Sequence, residues 1–552
     1  MQTSHVTARR NAPLALSLLG LIALLAWPAL PLAAAPSDAA DVTIAAAQRA
    51  AREDRNAVSV KLFEEAIAVA PQRRLELLPD LADQLTYSGR AADAIPLYRE
   101  SIGSGTLSAS RLRHVELGLA LALSWDHRLS QSLATYGAVL VRDPHDVEAL
   151  LGQARVLSWQ DQLSPSLRVY RRVIALDPEN KEALEGIARV QDWRGRKRDS
   201  QKVARAILSR YTDDKEATLT LAQSELWMGR PDVAAREDEA FLRTHPTDSG
   251  ALALANDIAD SRRTQAQLSV NDGTQSDGLL IRSGTLDLDV ASEQGLASVG
   301  VRYQPITYVG AGSAGDAEEK RAGVVFKNRF NDWAELDAAV SNDDITSTGA
   351  TEKNLLLYNA YATLYPNDTL TFYLGSRKET FDNLTSLRMG LSAVFNSFSL
   401  DVTPDENTRI SARGYLGSFS DGNREGWEQL EFERAVVRRP RLSFGARATS
   451  YSFAESPGNG YYDPPRYQSL EMTTHIYGNL RDRIYYDGAA SYGREWAVDG
   501  GTRPTHSLHG ALSYVISKPL SLSALYDNFD TRQISNGGFA RTVLGLRLQS
   551  RW

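Results

Sequence analysis

The chain of 552 residues contains no cysteine. A disulfide scaffold, a zinc–thiolate site and a cysteine nucleophile are therefore excluded. A thiol-free chain also suits passage through an oxidising compartment. A basic excess is missing as well. The net charge is −7, with both signs spread along the chain, whereas a nucleic-acid binder presents a basic patch. Beyond the N-terminus no segment approaches the ~18 consecutive apolar residues of a membrane helix, so a membrane-spanning form of this chain must cross with strands. Catalytic signatures are scarce. There is no Gly-x-Ser-x-Gly elbow and no phosphate-binding loop, and the eight histidines show no metal-ligand spacing on a helix. His506 and His509 stand three apart on a predicted strand and so point to opposite faces. Glu431 and Glu433 share a strand face, but glycoside hydrolysis needs two carboxylates at a controlled separation across a substrate. The expectation is a non-enzyme without a cofactor.

What is present begins with a secretory signal, expected over residues 1–35. Arg9 and Arg10 supply its positive start, Leu14 to Leu30 its apolar stretch, and Ala33 to Ala40 small residues for cleavage. Pro28 and Pro31 break the apolar run and no charged stop-transfer flank follows, which argues against an anchor.

Residues 40–260 repeat with a period of 34. Trp125, Trp159, Trp193 and Trp227 are each that far apart, and Tyr87 holds the equivalent place in an earlier repeat. Pro144, Pro178 and Pro246 follow helical runs. Gly89, Gly195 and Gly229 precede second helices, and Tyr98, Tyr136 and Tyr170 share an aromatic position within them. The stretches Leu81–Ser101, Phe63–Pro71 and Tyr170–Pro178 carry small-residue, glycine, alanine and aromatic positions in an order that resembles the tetratricopeptide repeat. Ser132 and Ser166 depart from that pattern, where alanine is usual. The resemblance implies about six helical hairpins stacked into a solenoid with a concave binding face. Tyr87, Trp125, Trp159, Trp193 and Trp227 have two readings. They are wedges between stacked repeats, or an aromatic ladder that binds polysaccharide or a partner.

Around Ser261-Arg262-Arg263 the helical period gives way to two-residue alternation. Residues 264–552 parse into sixteen strands. Short turns, such as Asn331-Asp332 and Leu480-Arg481, alternate with longer polar loops, such as Val309–Lys320, Asn342–Lys353 and Ala454–Arg466. Short turns at one end and long loops at the other describe an outer-membrane barrel. The predicted fold class is α plus transmembrane β: an α-solenoid of tetratricopeptide type, then a 16-stranded antiparallel barrel. Alternation places Thr542, Leu544, Leu546, Leu548 and Trp552 toward lipid. The candidate lumen-lining residues are Asp287, Asp289, Glu335, Asp337, Glu431, Glu433, Asp487, Asp527, Arg541 and Arg547. The carboxylates give either an ordinary polar lumen or an acidic conduit for a neutral or cationic solute, tempered by a positive strip at Arg377, Arg541, Arg547 and Arg551.

A signal peptide, these repeats and a C-terminal barrel in one chain resemble the exopolysaccharide export porins, the group of the poly-N-acetylglucosamine export porin and the C subunit of bacterial cellulose synthase. The segment Gly460–Met472 (GYYDPPRYQSLEM) resembles a Gly-Tyr-aromatic-x-Pro-x-x-Tyr stretch of those barrels. The arm is shorter than in cellulose-export subunits, which sets cellulose apart, and the acidic candidate lumen tilts the comparison toward a partly deacetylated, cationic amino-sugar polymer of a biofilm matrix. The resemblance implies an outer-membrane barrel of a Gram-negative cell with a periplasmic repeat domain. Its implied partners are an exopolysaccharide chain, outer-membrane lipid and periplasmic polysaccharide-modifying or synthase subunits, with no nucleic acid. The alternatives are cellulose export and a barrel-anchored interaction protein for envelope assembly.

Overall fold

The computed structural model describes residues 36–498, 501–530 and 540–552; the expected secretory signal lies outside them. Thirteen α-helices among the described residues run from Pro36 to Ser261, and sixteen strands follow. The described residues up to His127 form one compact unit, and Arg128–Trp552 form another.

The 34-residue period is written into the helix ends. Asp146, Asn180, Asp214 and Asp248 each cap a helix, accepting a hydrogen bond from the amide three residues on, at Ala149, Ala183, Ala217 and Ala251 (2.8–3.0 Å). Such a cap contributes about 1 kcal/mol by satisfying an amide the helix leaves open. The turn between paired helices needs one residue in the left-handed region. His127, Asp161, Gly195 and Gly229 occupy it, again 34 apart.

Stacking uses a ring-on-glycine fit. In the first unit, a β-carbon on Gly118 would lie 2.7 Å from the Tyr98 hydroxyl. In the second, a β-carbon on Gly152 or Gly186 would lie inside the ring of Tyr136 or Tyr170. All three tyrosines are buried. One repeat further on, Ala204 and Thr220 stand at these positions, so the large ring and the missing side chain disappear together. The serines that replace alanine have a physical reason. Ser166 and Ser200 are fully buried and donate to the carbonyls of Ala154 and Ala188 (2.7 and 2.8 Å). Buried tyrosines thus fill the spaces between these repeats.

The strands are β1 (Gln265–Gln275), β2 (Leu280–Ala291), β3 (Ala297–Val309), β4 (Asp316–Asn331), β5 (Ala334–Ser347), β6 (Lys353–Leu364), β7 (Leu370–Glu379), β8 (Ala393–Val402), β9 (Thr408–Phe419), β10 (Arg424–Arg438), β11 (Arg441–Phe453), β12 (Tyr467–Arg481), β13 (Ile484–Ala497), β14 (Gly501–Ser517), β15 (Leu520–Asp530) and β16 (Arg541–Arg551). They close into one antiparallel barrel in chain order, sealed by β1 on β16 from Gln265↔Arg551 to Gln275↔Arg541. One side-chain phase is apolar and exposed, as in Leu268, Val270, Leu544, Leu546 and Leu548. Phe330, Trp333, Tyr514 and Trp552 flank this band at the short-turn end, and Tyr492, Trp496 and Tyr526 lie toward the other. An outward apolar band with aromatic flanks, on a sheet without edges, is what a bilayer requires, and the barrel is an outer-membrane barrel.

Two expected long loops are shorter than the sequence reading placed them. Val309–Lys320 shrinks to residues 310–315 and Asn342–Lys353 to 348–352. Charged residues looked like loop. Glu319 and Asp343 instead lie on interior strand positions, fully buried against Arg321.

Two predictions follow from this packing. Gly186→Leu forces Tyr170 from its place and lowers the stability of the Arg128–Trp552 unit by about 1–3 kcal/mol, read as an earlier thermal loss of helical circular dichroism. The second concerns Asp238, which is buried with one carboxylate oxygen unpaired. Burial, with Glu239 and Asp248 nearby, pushes its pKa up to about 6. The folded chain thus binds this proton more tightly than the unfolded chain, and stability falls as pH rises from ~4 to ~6. Asp238→Asn removes that fall: the variant is more stable than its parent at pH 8, by on the order of 1–3 kcal/mol, and the two converge at pH 4.

Candidate transport pathway

The interior wall follows from strand phase. Positions alternating with the apolar band carry every proposed lumen residue, and most of the acids have a base opposite. Asp287 accepts from Arg302 (2.6 Å), Glu335 from Arg329 (2.7 Å) and Tyr365 (2.8 Å), and Glu431 from Arg447 (3.1 Å). Asp337 pairs in register with Lys327, and Glu433 with Arg409. Asp487 lies 3.0 Å from His475 and 3.7 Å from His509, whose other ring nitrogen is 2.6 Å from Asp527. Asp289 stands between Gln265 and Gly300 and lines a cavity of about 360 Å³ at the short-turn end. Arg547 stands between Ser269 and Ser523. The wall is therefore a charge-compensated polar surface, unlike an acidic conduit. Sequence could name the acids, but only strand register shows which base faces each one.

At the long-loop end the bore is spanned. The segment 380–392, between β7 and β8, folds inward and contains a short helix, Leu384–Met389, capped by Asn383 on the amide of Ser386 (2.8 Å). Phe381 stacks on Phe419 of β9 (centroids 5.3 Å) and on Tyr461 (5.6 Å). Thr380 bonds Arg321 and Glu319 of β4 (2.5 and 2.9 Å). Asp382 accepts from Tyr308 of β3 (3.1 Å) and from Arg541 of β16 (2.9 Å). A segment that leaves β7 and reaches β16, on the far side of the ring, crosses the opening. In the sequence, residues 380–388 read as a connection between strands. The signals for more were Asn383 before a short apolar run, Gly390 after it, and a phenylalanine in a polar loop. The Gly460–Met472 stretch belongs to the same closure: Tyr461 meets Phe381, and Tyr467 is fully buried.

At the short-turn end the helical segment grips the rim. The turns that follow Trp159 and Trp193 supply the contacts. Asp161 pairs with Arg438 (3.2 Å), and Ser164 and Arg194 both bond Glu406 (2.7 and 3.1 Å). Partial burial of Glu406 works against ionisation, but the bonds from Ser164 and Arg194 outweigh it and hold the carboxyl below the usual carboxylate range. Arg196 donates to three turn carbonyls, of Asp368, Thr403 and Pro404 (2.7–2.9 Å). Arg198 donates to those of Asp332 and Tyr365 (2.9 and 2.6 Å). Asp260 pairs with Lys518 (2.8 Å). Trp159, Trp193 and Trp227 are 40, 36 and 56% exposed, and the first two sit directly beside these rim contacts. The Lys197 ammonium lies 3.6 Å above the Trp227 ring. In the other unit Tyr87 and Trp125 meet edge to face, 6.0 Å apart, and both are exposed.

Comparisons with solved structures return likenesses to each half. A structure described as a bacterial polysaccharide outer membrane secretin is 14% identical over 53% of this chain and 99% of its own, with a TM-score of 0.43. A tetratricopeptide repeat protein from Parabacteroides merdae is 15% identical over 40% of this chain and 86% of its own, with a TM-score of 0.35. PilW, a type IV pilus biogenesis factor, is 16% identical over 39% of this chain and 98% of its own, with a TM-score of 0.34. No family model and no curated protein matches the chain. At these scores the likenesses decide nothing about function, which has to be argued from the barrel and its rim.

Arg196→Ala leaves three rim carbonyls, two of them on half-buried residues, without their shared donor, at a cost of about 1–3 kcal/mol. Amide exchange in the rim turns 365–369 and 403–407 should quicken about tenfold or more, while exchange in the central β12–β15 strands stays at the parent rate.

Proposed function

We propose that this protein is an outer-membrane porin that exports an exopolysaccharide, with its helical repeats in the periplasm. The observation that carries this reading is the junction: a polar-walled barrel whose short-turn rim is gripped by repeats that carry exposed tryptophans. A polymer of sugar rings can stack on Trp159, Trp193 and Trp227 and pass along a wall of side-chain hydroxyls, amides and paired charges. The other unit carries its own exposed pair of rings, Tyr87 and Trp125. Partners follow from this placement: the polymer itself, and periplasmic subunits that make or modify it.

The finer reading is an amino-sugar polymer of a biofilm matrix carried largely in its uncharged, acetylated form. A charge-compensated wall offers no net attraction to a densely cationic chain, whereas neutral rings need only hydrogen bonds and stacking. Isolated cationic units can still be met at Asp289. Cellulose export satisfies the same geometry less specifically. A barrel-anchored interaction protein is favoured by one observation, the segment 380–392 across the mouth.

Deleting the gene should abolish surface polymer, while the polymer accumulates in the periplasm. Replacing Trp159, Trp193 and Trp227 with alanine should reduce surface polymer several-fold, at about 1 kcal/mol per lost stacking contact, with the barrel still inserted at parental level. Unchanged surface polymer in the deletion strain would remove the export reading and leave the anchored interaction protein.

A further inference from the structure

The interior wall is not uniform around its circumference. Near the long-loop end, the interior positions of β8 to β12 carry Phe395, Tyr415, Phe419, Trp427, Tyr451 and Tyr467. At the corresponding ends of β13, β14, β16 and β1 stand Glu495, Arg503, Arg541 and Gln275. One side of the bore is aromatic and the other polar. The rings lie in parallel pairs: Tyr415 on Trp427 at 5.1 Å and 5°, and Tyr451 on Tyr467 at 4.4 Å and 23°. Carboxylates sit at two ring edges and a guanidinium lies over a third ring. Tyr415 donates to Glu425 (2.9 Å), Tyr467 to Glu495 (2.7 Å), and the Arg377 guanidinium lies 4.7 Å above Phe395.

We propose that this aromatic wall is a stacking site for pyranose rings of the exported polymer, and that Phe381 fills it when no polymer is present. The inference rests on the export reading. Its warrant is chemical. A pyranose has apolar C–H faces and a polar hydroxyl edge, and a site of flat rings bordered by carboxylates and guanidinium meets both. Phe395, Phe419, Tyr451 and Tyr467 are buried in this structure, covered by Phe381, Leu391 and Tyr461. Phe381, like Tyr461, comes from a connection rather than a strand. Its neighbours Thr380 and Asp382 are tethered to Arg321, Glu319, Tyr308 and Arg541, while Leu387 and Leu391 anchor the rest of the segment in apolar clusters. A sugar ring can replace Phe381 against Phe419 while its hydroxyls compete for those tethers, so one ring is exchanged for another without exposing the wall. Trp427 and Tyr415 lie deeper in the bore than Phe419. A chain arriving from the short-turn end meets that pair before it meets Phe381.

The test uses the full chain in planar bilayers with neutral N-acetylglucosamine oligomers, and calorimetric titration of the same oligomers into detergent-solubilised protein. Phe381→Ala should raise single-channel conductance several-fold and let the oligomers block the open pore reversibly. Adding Trp427→Ala should weaken that block about three- to tenfold. Heat-modifiable mobility on gels checks that each variant is folded. An open Phe381→Ala pore that oligomers do not block, or block equally with and without Trp427, overturns the proposal. If Phe381→Ala does not conduct, calorimetry decides: binding tighter than in the parent supports the site, and unchanged binding overturns it. Loss of surface polymer on gene deletion, combined with no oligomer block, would leave export standing and remove this site alone.

Discussion

Inside a bilayer an unpaired backbone amide or carbonyl has no water to turn to, and each one left open costs several kcal/mol. The seam between β1 and β16 answers that constraint, and the rest of the molecule depends on it. Eleven consecutive residue pairs join the two strands, so the sheet has no edge. Closure with an even number of strands brings both barrel ends to the short-turn side. The helical segment, which enters the barrel at Gln265, is therefore held at that rim. Arg196 and Arg198 can then reach three different inter-strand turns, because those turns form one continuous ring.

Closure also creates an inside. Once the apolar phase is committed to lipid, every alternate residue must be accommodated in a shared, enclosed space. Charges brought there lose part of their hydration and have to find each other. Hence the ladders Asp287–Arg302, Glu335–Arg329, Glu431–Arg447 and His475–Asp487–His509–Asp527, which run between neighbouring strands. The long-loop end carries this further. Glu319, Arg321 and Asp343 form a network tied through Thr380 to the segment that spans the mouth. Polar pairing at one end of the bore and aromatic pairing beside it divide the interior into a compensated channel and a stacking wall.

The helical segment works by repetition. A capping Asp or Asn, a left-handed turn residue, a buried serine and an exposed tryptophan recur every 34 residues, and each has a separate physical task. Tyr136 and Tyr170 fill the space between their repeats, and the indoles at the helix ends stay partly exposed.

Periodicity carried most of the architecture. The 34-residue spacing of Trp125, Trp159, Trp193 and Trp227, the two-residue alternation after Arg263 and the unequal connections were enough to name a repeat segment followed by a sixteen-stranded barrel. They were also enough to assign the inward and outward phase of the last strand. Those features are local, set by helix and strand geometry and by which side chains tolerate lipid, so they can be read one segment at a time. The pairing of each lumen acid with a base depends on the register of neighbouring strands. The closing of the mouth by Phe381 and Asp382 depends on which distant strands a loop meets. Tertiary structure alone decided both, because they are relations between residues from six to more than a hundred positions apart that become neighbours only through strand pairing and closure of the sheet.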